Sequence, residues 1–240
     1  MRLTVIVWSL LAVSGTTAVA QGTSPRPTYR ASWADVAAVA GTGVVALLPG
    51  VLNLPKGPPP CAPCDPSGLL GIDRWVVGKN SALARNGSTV LLLGVGGMAT
   101  YLSAHDQSSP QARGNLAVLA NSISWTAAST EWLKVLVRRK RPVLYTSGAA
   151  AAATLADNQR SFPSGHTSVA FAVATSYLVM ANREQLPHRT RNAILLYGGA
   201  SGVGALRIVG GSHFTTDVLA GAALGAGIGW LVATVHPRLP

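Results

Sequence analysis

Three short clusters of charged, hydroxyl and histidine residues lie in the second half of the chain. Residues 134–142 read KVLVRRKRP, residues 161–167 read SFPSGHT, and residues 207–217 read RIVGGSHFTTD. Each cluster lies where an apolar segment begins or ends. Helix ends carry free backbone groups and are where side chains from several helices converge on one ligand. The three clusters are therefore the candidates for a single functional site.

The first cluster is a concentration of cations. On a continuous helix, Lys134, Arg138 and Arg141 would lie at spacings of four and three and share one face. Arginine offers a planar fork that matches phosphate oxygens, whereas lysine supplies a point charge. The spacing predicts a helical polyanion site, and a positively charged flank at a membrane surface is the alternative.

The second cluster has the features of a helix start. Pro163 and the Ser164-Gly165 pair precede an apolar run, which predicts a helix N-terminus with free backbone N–H groups. Such an N-terminus binds anions, and His166 would lie beside the bound anion. The alternative is a helix cap with an incidental histidine.

The third cluster places a histidine four residues before an acid. If the stretch from His213 is helical, Asp217 lies one turn on, where its carboxylate orients the imidazole and stabilises the charged ring. The alternative is a buried His–Asp hydrogen bond with a structural role. A charged pair at the edge of an apolar helix is costly, which favours a functional interpretation.

In chain order the clusters form the pattern K-x6-R-P, P-S-G-H and R-x5-H-x3-D. This pattern resembles the three-part signature of the type 2 phosphatidic acid phosphatase family, which also includes bacterial class A acid phosphatases and vanadium haloperoxidases. The resemblance covers residues 134–217, and the layout of apolar segments resembles the membrane branch. It implies a metal-independent phosphatase without a cofactor, acting on phosphomonoester or diphosphate groups through a phosphohistidine.

The resemblance also implies a role for each matching residue. His213 would attack phosphorus, Asp217 would hold His213, and His166 would protonate the leaving oxygen. The cations and N–H groups would stabilise the charge of the transferring phosphoryl group. The implied phosphate-binding residues are Lys134, Arg141, Ser164, Gly165 and Arg207.

The third cluster departs from the family pattern at one position. The family usually has Ser before the arginine, and here Leu206 precedes Arg207. A lost neutral hydrogen bond costs about 0.5 to 1.5 kcal/mol, so weaker phosphate binding is expected. No position that the family pattern requires is matched by Arg138, Arg139 or Lys140. We interpret these residues as sources of positive electrostatic potential or as contacts to lipid headgroups.

The composition indicates a membrane protein. Of 240 residues, 48% are hydrophobic and only 11% charged, against about 25% charged in soluble domains. We predict an all-α bundle of about six helices, transmembrane, with the active site at helix ends on one face. A soluble bundle with apolar core helices is the alternative. The six apolar segments are residues 36–54, 88–104, 116–136, 167–181, 193–206 and 218–235.

The N-terminus has the three parts of an export signal, namely Arg2, an apolar run and the small residues 18–20. We expect a signal peptide over residues 1–20, with an uncleaved anchor as the alternative, then a polar segment over 21–35 and one helical domain over 36–240. In an exported protein, Cys61 and Cys64 are expected to form a disulfide. A redox-active or metal-binding pair is the alternative, although no metal site is predicted.

The net charge of +11 is concentrated, because five of the 19 basic residues lie within residues 134–141. The aromatic residues of a single-strand binder are absent there, so the expected partners are membrane and a phosphorylated lipid or small phosphate ester, not nucleic acid. The oligomeric state is not predicted. A haloperoxidase loaded with vanadate and a non-catalytic phospholipid-binding or transport protein are the competing functions.

The basic loop over residues 182–191 predicts a cytoplasmic location for that loop. The active site would then face the periplasm from a bacterial cell membrane, and a soluble periplasmic acid phosphatase is the alternative. A conflict follows, because a cleaved signal followed by six crossings places the site inside. A first segment that packs without crossing, or an uncleaved N-terminal segment sharing one crossing with it, would remove the conflict.

Overall fold

The computed structural model describes residues 29–237, and its secondary structure is helical. Six long helices and two short ones, α2 and α5, follow one another. In chain order they are α1 (Trp33–Val51), α2 (Gly71–Arg74), α3 (Ala82–Ala104), α4 (Ser109–Val137), α5 (Ala149–Ala152), α6 (Gly165–Arg183), α7 (Arg189–Val209) and α8 (Thr215–Val235). Each long helix coincides with one predicted apolar segment, which confirms the all-α bundle. The predicted signal peptide lies outside the described residues.

Helix α1 begins three residues before the predicted apolar segment. The carboxylate of Asp35 accepts a hydrogen bond from the backbone N–H of Ser32 at 2.8 Å, which satisfies a group that precedes the helix. The polar side chains of Ser32 and Asp35 therefore form the N-terminal cap of α1. The boundary predicted at residue 36 therefore falls inside α1.

Four of the long helices are long and apolar enough to cross a membrane, among the residues described: α1, α3, α7 and α8. Their outward faces are rich in exposed apolar side chains, including Trp33 at 86% and Leu83 at 85% exposure. Contiguous apolar surface of this kind is uncommon on soluble monomers. The bundle therefore has the surface of a membrane-associated protein.

The other two long helices, α4 and α6, are less apolar and lie between the outer helices. Helix α6 packs against α3, α4, α7 and α8. Helix α4 buries polar side chains such as Asn115, Asn121 and Thr126. A helix that faces other helices rather than lipid tolerates hydroxyl and amide groups, because neighbouring helices offer them hydrogen-bond partners. Length alone does not make the predicted segments 116–136 and 167–181 membrane spans.

Glycines bring α8 into backbone contact with α6. Gly221, Gly225 and Gly229 are spaced four apart and buried. A Cβ added at Gly225 would lie 1.9 Å from the carbonyl oxygen of Ser168, and one at Gly229 would lie 2.4 Å from that of Ala172. Only glycine allows two helices to approach this closely.

The described ends of the chain meet at one end of the bundle. The Tyr29 hydroxyl donates to the carbonyl of Ala233, and the Arg30 N–H donates to that of Pro237, both at 3.0 Å. Helices α6 and α8 both start at the opposite end, where the Ser164 N–H donates to the Asp217 carbonyl at 3.0 Å. All three clusters belong to this second end.

The glycine contact gives a test of the fold. Gly225→Ala should lower the free energy of unfolding by about 1 to 3 kcal/mol, because the methyl group forces α6 and α8 apart. Gly227→Ala is the matched control, since a Cβ there meets no atom within 4 Å. Melting of both variants in detergent measures the difference. Equal melting temperatures for the two variants would contradict the close crossing.

Candidate active site

A cavity of about 400 Å³ opens at the end of the bundle where the three clusters meet. Residues from α3, α4, α6, α7 and two connecting loops line it. The lining residues are Leu92, Ala127, Thr130, Glu131, Lys134, Arg141, Asp157, Gly165, His166, Val169, Arg207 and His213. Six of the eight predicted site residues therefore face one space. The remaining two, Ser164 and Asp217, are buried behind it.

The first cluster does not form one continuous helix. Helix α4 ends at Val137, and Arg138 adopts the left-handed conformation with φ of 52°. Pro142 also disfavours helical geometry at the residue before it. Arg141 is therefore extended, and its N–H donates to the carbonyl of Asn158 at 2.8 Å. The predicted shared helix face is wrong, although the turn still brings Lys134 and Arg141 to the same cavity.

Carboxylates hold two of the three cavity cations. Lys134 donates to Glu131 at 2.5 Å, and Arg141 pairs with Asp157 at 2.9 Å. Glu131 also accepts from Arg160. The sequence reasoning missed these partners, although Glu131 stands three residues before Lys134, a spacing at which helix side chains meet. An incoming anion must replace these carboxylates around the cations.

The second cluster forms the predicted helix start. The first intrahelical bond of α6 runs from the Ser168 N–H to the Ser164 carbonyl, so the N–H groups of residues 165–167 precede the helical pattern. A Cβ at Gly165 would lie 3.2 Å from the Lys134 amine, so glycine allows that amine to approach the helix end. The N–H of Ser164 is already bonded to Asp217. The anion-binding groups are those from Gly165 onward.

His213 is almost completely buried, at 1% exposure, and it precedes α8 rather than lying within it. Its Nδ1 is 2.7 Å from the carbonyl oxygen of Ser161, which can only accept, so Nδ1 carries the proton. This tautomer leaves the lone pair on Nε2. The ring that lines the cavity is therefore oriented by a backbone carbonyl.

Asp217 acts on His213 less directly than the spacing suggested. Its Oδ2 is 3.7 Å from Nδ1, beyond hydrogen-bond distance. The same oxygen accepts from the Ser161 hydroxyl at 2.6 Å and from the Phe214 N–H at 2.9 Å. Asp217 thus lies at ion-pair distance from the imidazole, and it also fixes Ser161, whose carbonyl bonds Nδ1, and Phe214, the residue after His213.

Both cavity histidines are poor bases in this site. Burial lowers the pKa of His213 to about 3. Burial, followed by the charges of Arg207, Lys134 and Arg141, lowers the pKa of His166 to about 4. The Nε2 of His166 lies 3.1 Å from the hydroxyl of Thr89. At these pKa values both rings are neutral at neutral pH.

Arg139 is a structural member of the site that the sequence reasoning placed elsewhere. Its guanidinium donates to Asp217 and to the Thr216 hydroxyl, each at 2.6 Å, and to Asp73 at 2.7 Å. The expectation that Arg139 contacts lipid headgroups is wrong, because two buried carboxylates hold its side chain. Its neighbour Arg138 is exposed.

Leu206, the departure from the family pattern, does not line the cavity. Its side chain lies beside α3, where a Cβ added at Gly87 would be 3.8 Å from it. The residue after it, Arg207, points to the cavity and donates to the Ser88 hydroxyl at 3.3 Å. The missing serine hydroxyl is therefore no loss from the cavity wall.

Cys61 and Cys64 are joined by a disulfide in the connection between α1 and α3. The N–H of Cys64 donates to the carbonyl of Leu144 at 2.8 Å, which ties this connection to the loop after the first cluster. The disulfide therefore belongs to the same end of the bundle as the cavity.

Comparison with known protein families matches residues 115–240 to the family described as the PAP2 superfamily. The match contains all three clusters and begins within α4. No curated protein and no solved structure matches the chain.

Proposed function

The chain belongs to the PAP2 superfamily, and on that premise we propose that it hydrolyses phosphomonoester or diphosphate groups of membrane lipids through a covalent phosphohistidine. Membership supports phosphatase activity on phosphate esters in general. One observation carries the finer proposal. Three cations, a helix N-terminus and two histidines converge on a cavity of about 400 Å³, which suits a phosphoryl group and the start of its leaving group.

The first step transfers the phosphoryl group to His213. The Nε2 lone pair attacks phosphorus and forms a P–N bond while the P–O bond of the ester breaks. His166, protonated in the complex, gives its proton to the departing oxygen. Nδ1 keeps its proton throughout and donates it in a hydrogen bond to the carbonyl of Ser161, which leaves Nε2 free to attack. Lys134, Arg141 and Arg207 offset the charge on the transferring oxygens.

The second step releases phosphate. A water molecule attacks the phosphorus of the phosphohistidine, its oxygen forms the new P–O bond, and the P–N bond breaks. His166, now neutral, accepts the proton of that water, and His213 returns to its neutral form. The covalent intermediate divides one difficult hydrolysis into two displacements that use the same cations and N–H groups. No step requires a metal ion.

Two features of the described chain support a lipid substrate. The cavity lining includes the apolar side chains of Leu92, Ala127 and Val169. The outward faces of α1, α3, α7 and α8 are apolar too. A leaving group that continues into a lipid tail, as in phosphatidic acid, undecaprenyl diphosphate or a lipid A phosphate, fits these surroundings. A soluble periplasmic acid phosphatase would not need such outer faces.

We propose that the cavity faces the periplasm of a bacterial cell. The basic residues Arg183, Arg189 and Arg191 lie at the opposite end of the bundle, where α6 ends and α7 begins. The Cys61–Cys64 disulfide lies at the cavity end, and disulfides persist in oxidising compartments. Positive charge inside and a disulfide outside favour the same orientation.

This orientation has a consequence for the N-terminus. Tyr29 lies at the basic end, so it would face the cytoplasm. Cleavage of an exported signal after residue 20 would instead leave Tyr29 outside. The two expectations exclude each other when all six long helices cross the membrane, and the orientation of the bundle decides between them.

The chemistry is tested by phosphate release from a lipid phosphate panel in excess EDTA. His213→Ala should lower the rate by about a thousandfold or more, because the nucleophile is lost. His105→Ala is the control, since that side chain is about half exposed and outside the cavity. Labelling with ³²P should trap an acid-labile phosphohistidine in the wild type and in His105→Ala but not in His213→Ala. Phosphate release that persists in His213→Ala would rule out this nucleophile, and absence of release from wild type would favour a lipid-binding protein.

The pKa of His166 predicts how the rate responds to pH. Burial and then the nearby cations lower this pKa to about 4, and a bound phosphate offsets the cations, so the pKa rises in the complex. Because His166 must be protonated to donate, kcat should fall with rising pH through the higher pKa, and kcat/KM through the lower one. Full pH profiles of both constants measure the separation. His166→Ala should lack this basic limb, and a limb unchanged in that variant would assign the proton donor elsewhere.

The orientation is tested with single cysteines in the Cys61→Ser, Cys64→Ser background. A membrane-impermeant thiol reagent on intact cells should label Lys56→Cys, which is exposed on the connection that contains the disulfide. It should label Gln185→Cys, between α6 and α7, only after permeabilisation. The reverse pattern would place the cavity on the cytoplasmic side, and it would agree with cleavage of the signal peptide after residue 20.

A further inference from the structure

We propose that Asp73 and Arg139 form a positioning pair for His213, so that the connection between α1 and α3 takes part in the chemistry of the cavity. The proposal rests on the proposed function, in which His213 is the nucleophile. Neither residue lines the cavity. Asp73 also lies outside residues 115–240, the part of the chain that matches the family.

Arg139 joins the parts of the chain that surround His213. Its guanidinium donates to the Oδ1 of Asp217 at 2.6 Å, and its backbone carbonyl accepts the N–H of Ser161 at 2.9 Å. The carbonyl of Ser161 in turn accepts a hydrogen bond from the Nδ1–H of His213. The guanidinium also lies over the Phe214 ring at 4.7 Å from its centroid. One arginine therefore holds both the loop before α6 and the start of α8.

Asp73 fixes this arginine from the other side. It is fully buried in α2, and its Oδ2 accepts from Arg139 at 2.7 Å and from the Thr216 hydroxyl at 2.7 Å. Its Oδ1 accepts the Thr216 N–H at 2.9 Å. Helix α2 is itself tied to the start of α8, because the Trp75 indole donates to the Thr215 hydroxyl at 3.2 Å. The Asp73 carboxylate therefore binds Arg139 and Thr216, which both lie next to the residues that contact His213.

The charges of the cluster suit the attack. Arg139 carries one positive charge, whereas Asp73 and Asp217 are two carboxylates with 0% exposure. The cluster therefore has a net charge of about −1 beside an imidazole that becomes positive when Nε2 bonds to phosphorus. Buried charges interact more strongly than charges in water. Without the charge of Asp73, Arg139 and Asp217 form a neutral pair that no longer offsets the charged ring. Loss of the Arg139 guanidinium keeps the negative charge, so it slows the attack only through the displaced positions of Asp217 and Ser161.

The division between the two sets of residues makes the role measurable. Lys134, Arg141 and Arg207 line the cavity and would bind phosphate, whereas Asp73 and Arg139 lie behind His213. Loss of the pair should slow the phosphorylation of His213 and leave the affinity for orthophosphate nearly unchanged. A purely structural role would lower stability and affect both quantities together, or affect neither in the folded protein.

The experiment compares Asp73→Asn and Arg139→Gln with wild type in detergent. Single-turnover phosphorylation of His213 should slow by about 10- to 100-fold, the range known for outer positioning partners, while inhibition by orthophosphate changes by less than about twofold. Asp65→Asn and Arg113→Gln are the matched controls, because both side chains are exposed and neither lines the cavity. Unchanged phosphorylation in folded Asp73→Asn, or equal loss of phosphorylation and orthophosphate affinity, would overturn the proposal.

Two further measurements cover variants that fold poorly and an inactive wild type. Arg139→Lys keeps the charge but loses the fork, so its phosphorylation rate should lie between those of wild type and Arg139→Gln. Nuclear magnetic resonance of ¹⁵N-labelled histidine reports the His213 tautomer without catalysis. The Nδ1–H form should dominate in wild type and become mixed in Arg139→Lys. An unchanged tautomer would overturn the positioning pair, whereas an inactive wild type with the expected tautomer change would refute only the proposed function.

Discussion

The backbone hydrogen bond from the Ser164 N–H to the Asp217 carbonyl joins the starts of α6 and α8, and the cavity depends on this contact. The glycines at 221, 225 and 229 allow the two helix backbones to lie this close along their length. As a result, the free N–H groups of α6 and the imidazole of His213 share one small space. Two ends that were only a few ångströms further apart could not serve one phosphoryl group.

The cavity also has to keep several charges in a poorly solvated place, which is costly unless each charge has a partner. Glu131 supplies a partner for Lys134, and Asp157 supplies one for Arg141. Behind His213, Asp73 and Asp217 share Arg139. The two arrangements differ in use, because the exposed Asp157 can yield its arginine to a substrate anion, whereas Asp73 and Asp217 are fully buried and keep theirs.

The bundle solves a related problem in its helices. The outer helices expose apolar side chains, and several of the polar groups that line the site are carried by α4 and α6, which other helices surround. Helix α4 places Lys134 in its last turn, and α6 places His166 in its first turn. Polar side chains are less costly there, because they meet other helices instead of lipid. The division into inner and outer helices therefore accounts for both the polar site and the apolar outer surface.

The sequence by itself determined the six long helices and the three clusters, because apolar runs and motif residues are patterns of neighbours in the chain. It did not reveal that α4 stops at Val137, since the left-handed geometry of Arg138 depends on the loop that follows. Nor did it reveal the bond from His213 to the Ser161 carbonyl, 52 positions away, or the pair of Arg139 and Asp73, 66 positions apart. Such contacts leave no local pattern. Only the packing of helix ends decides which buried charges meet, because each must find a partner wherever the fold supplies one.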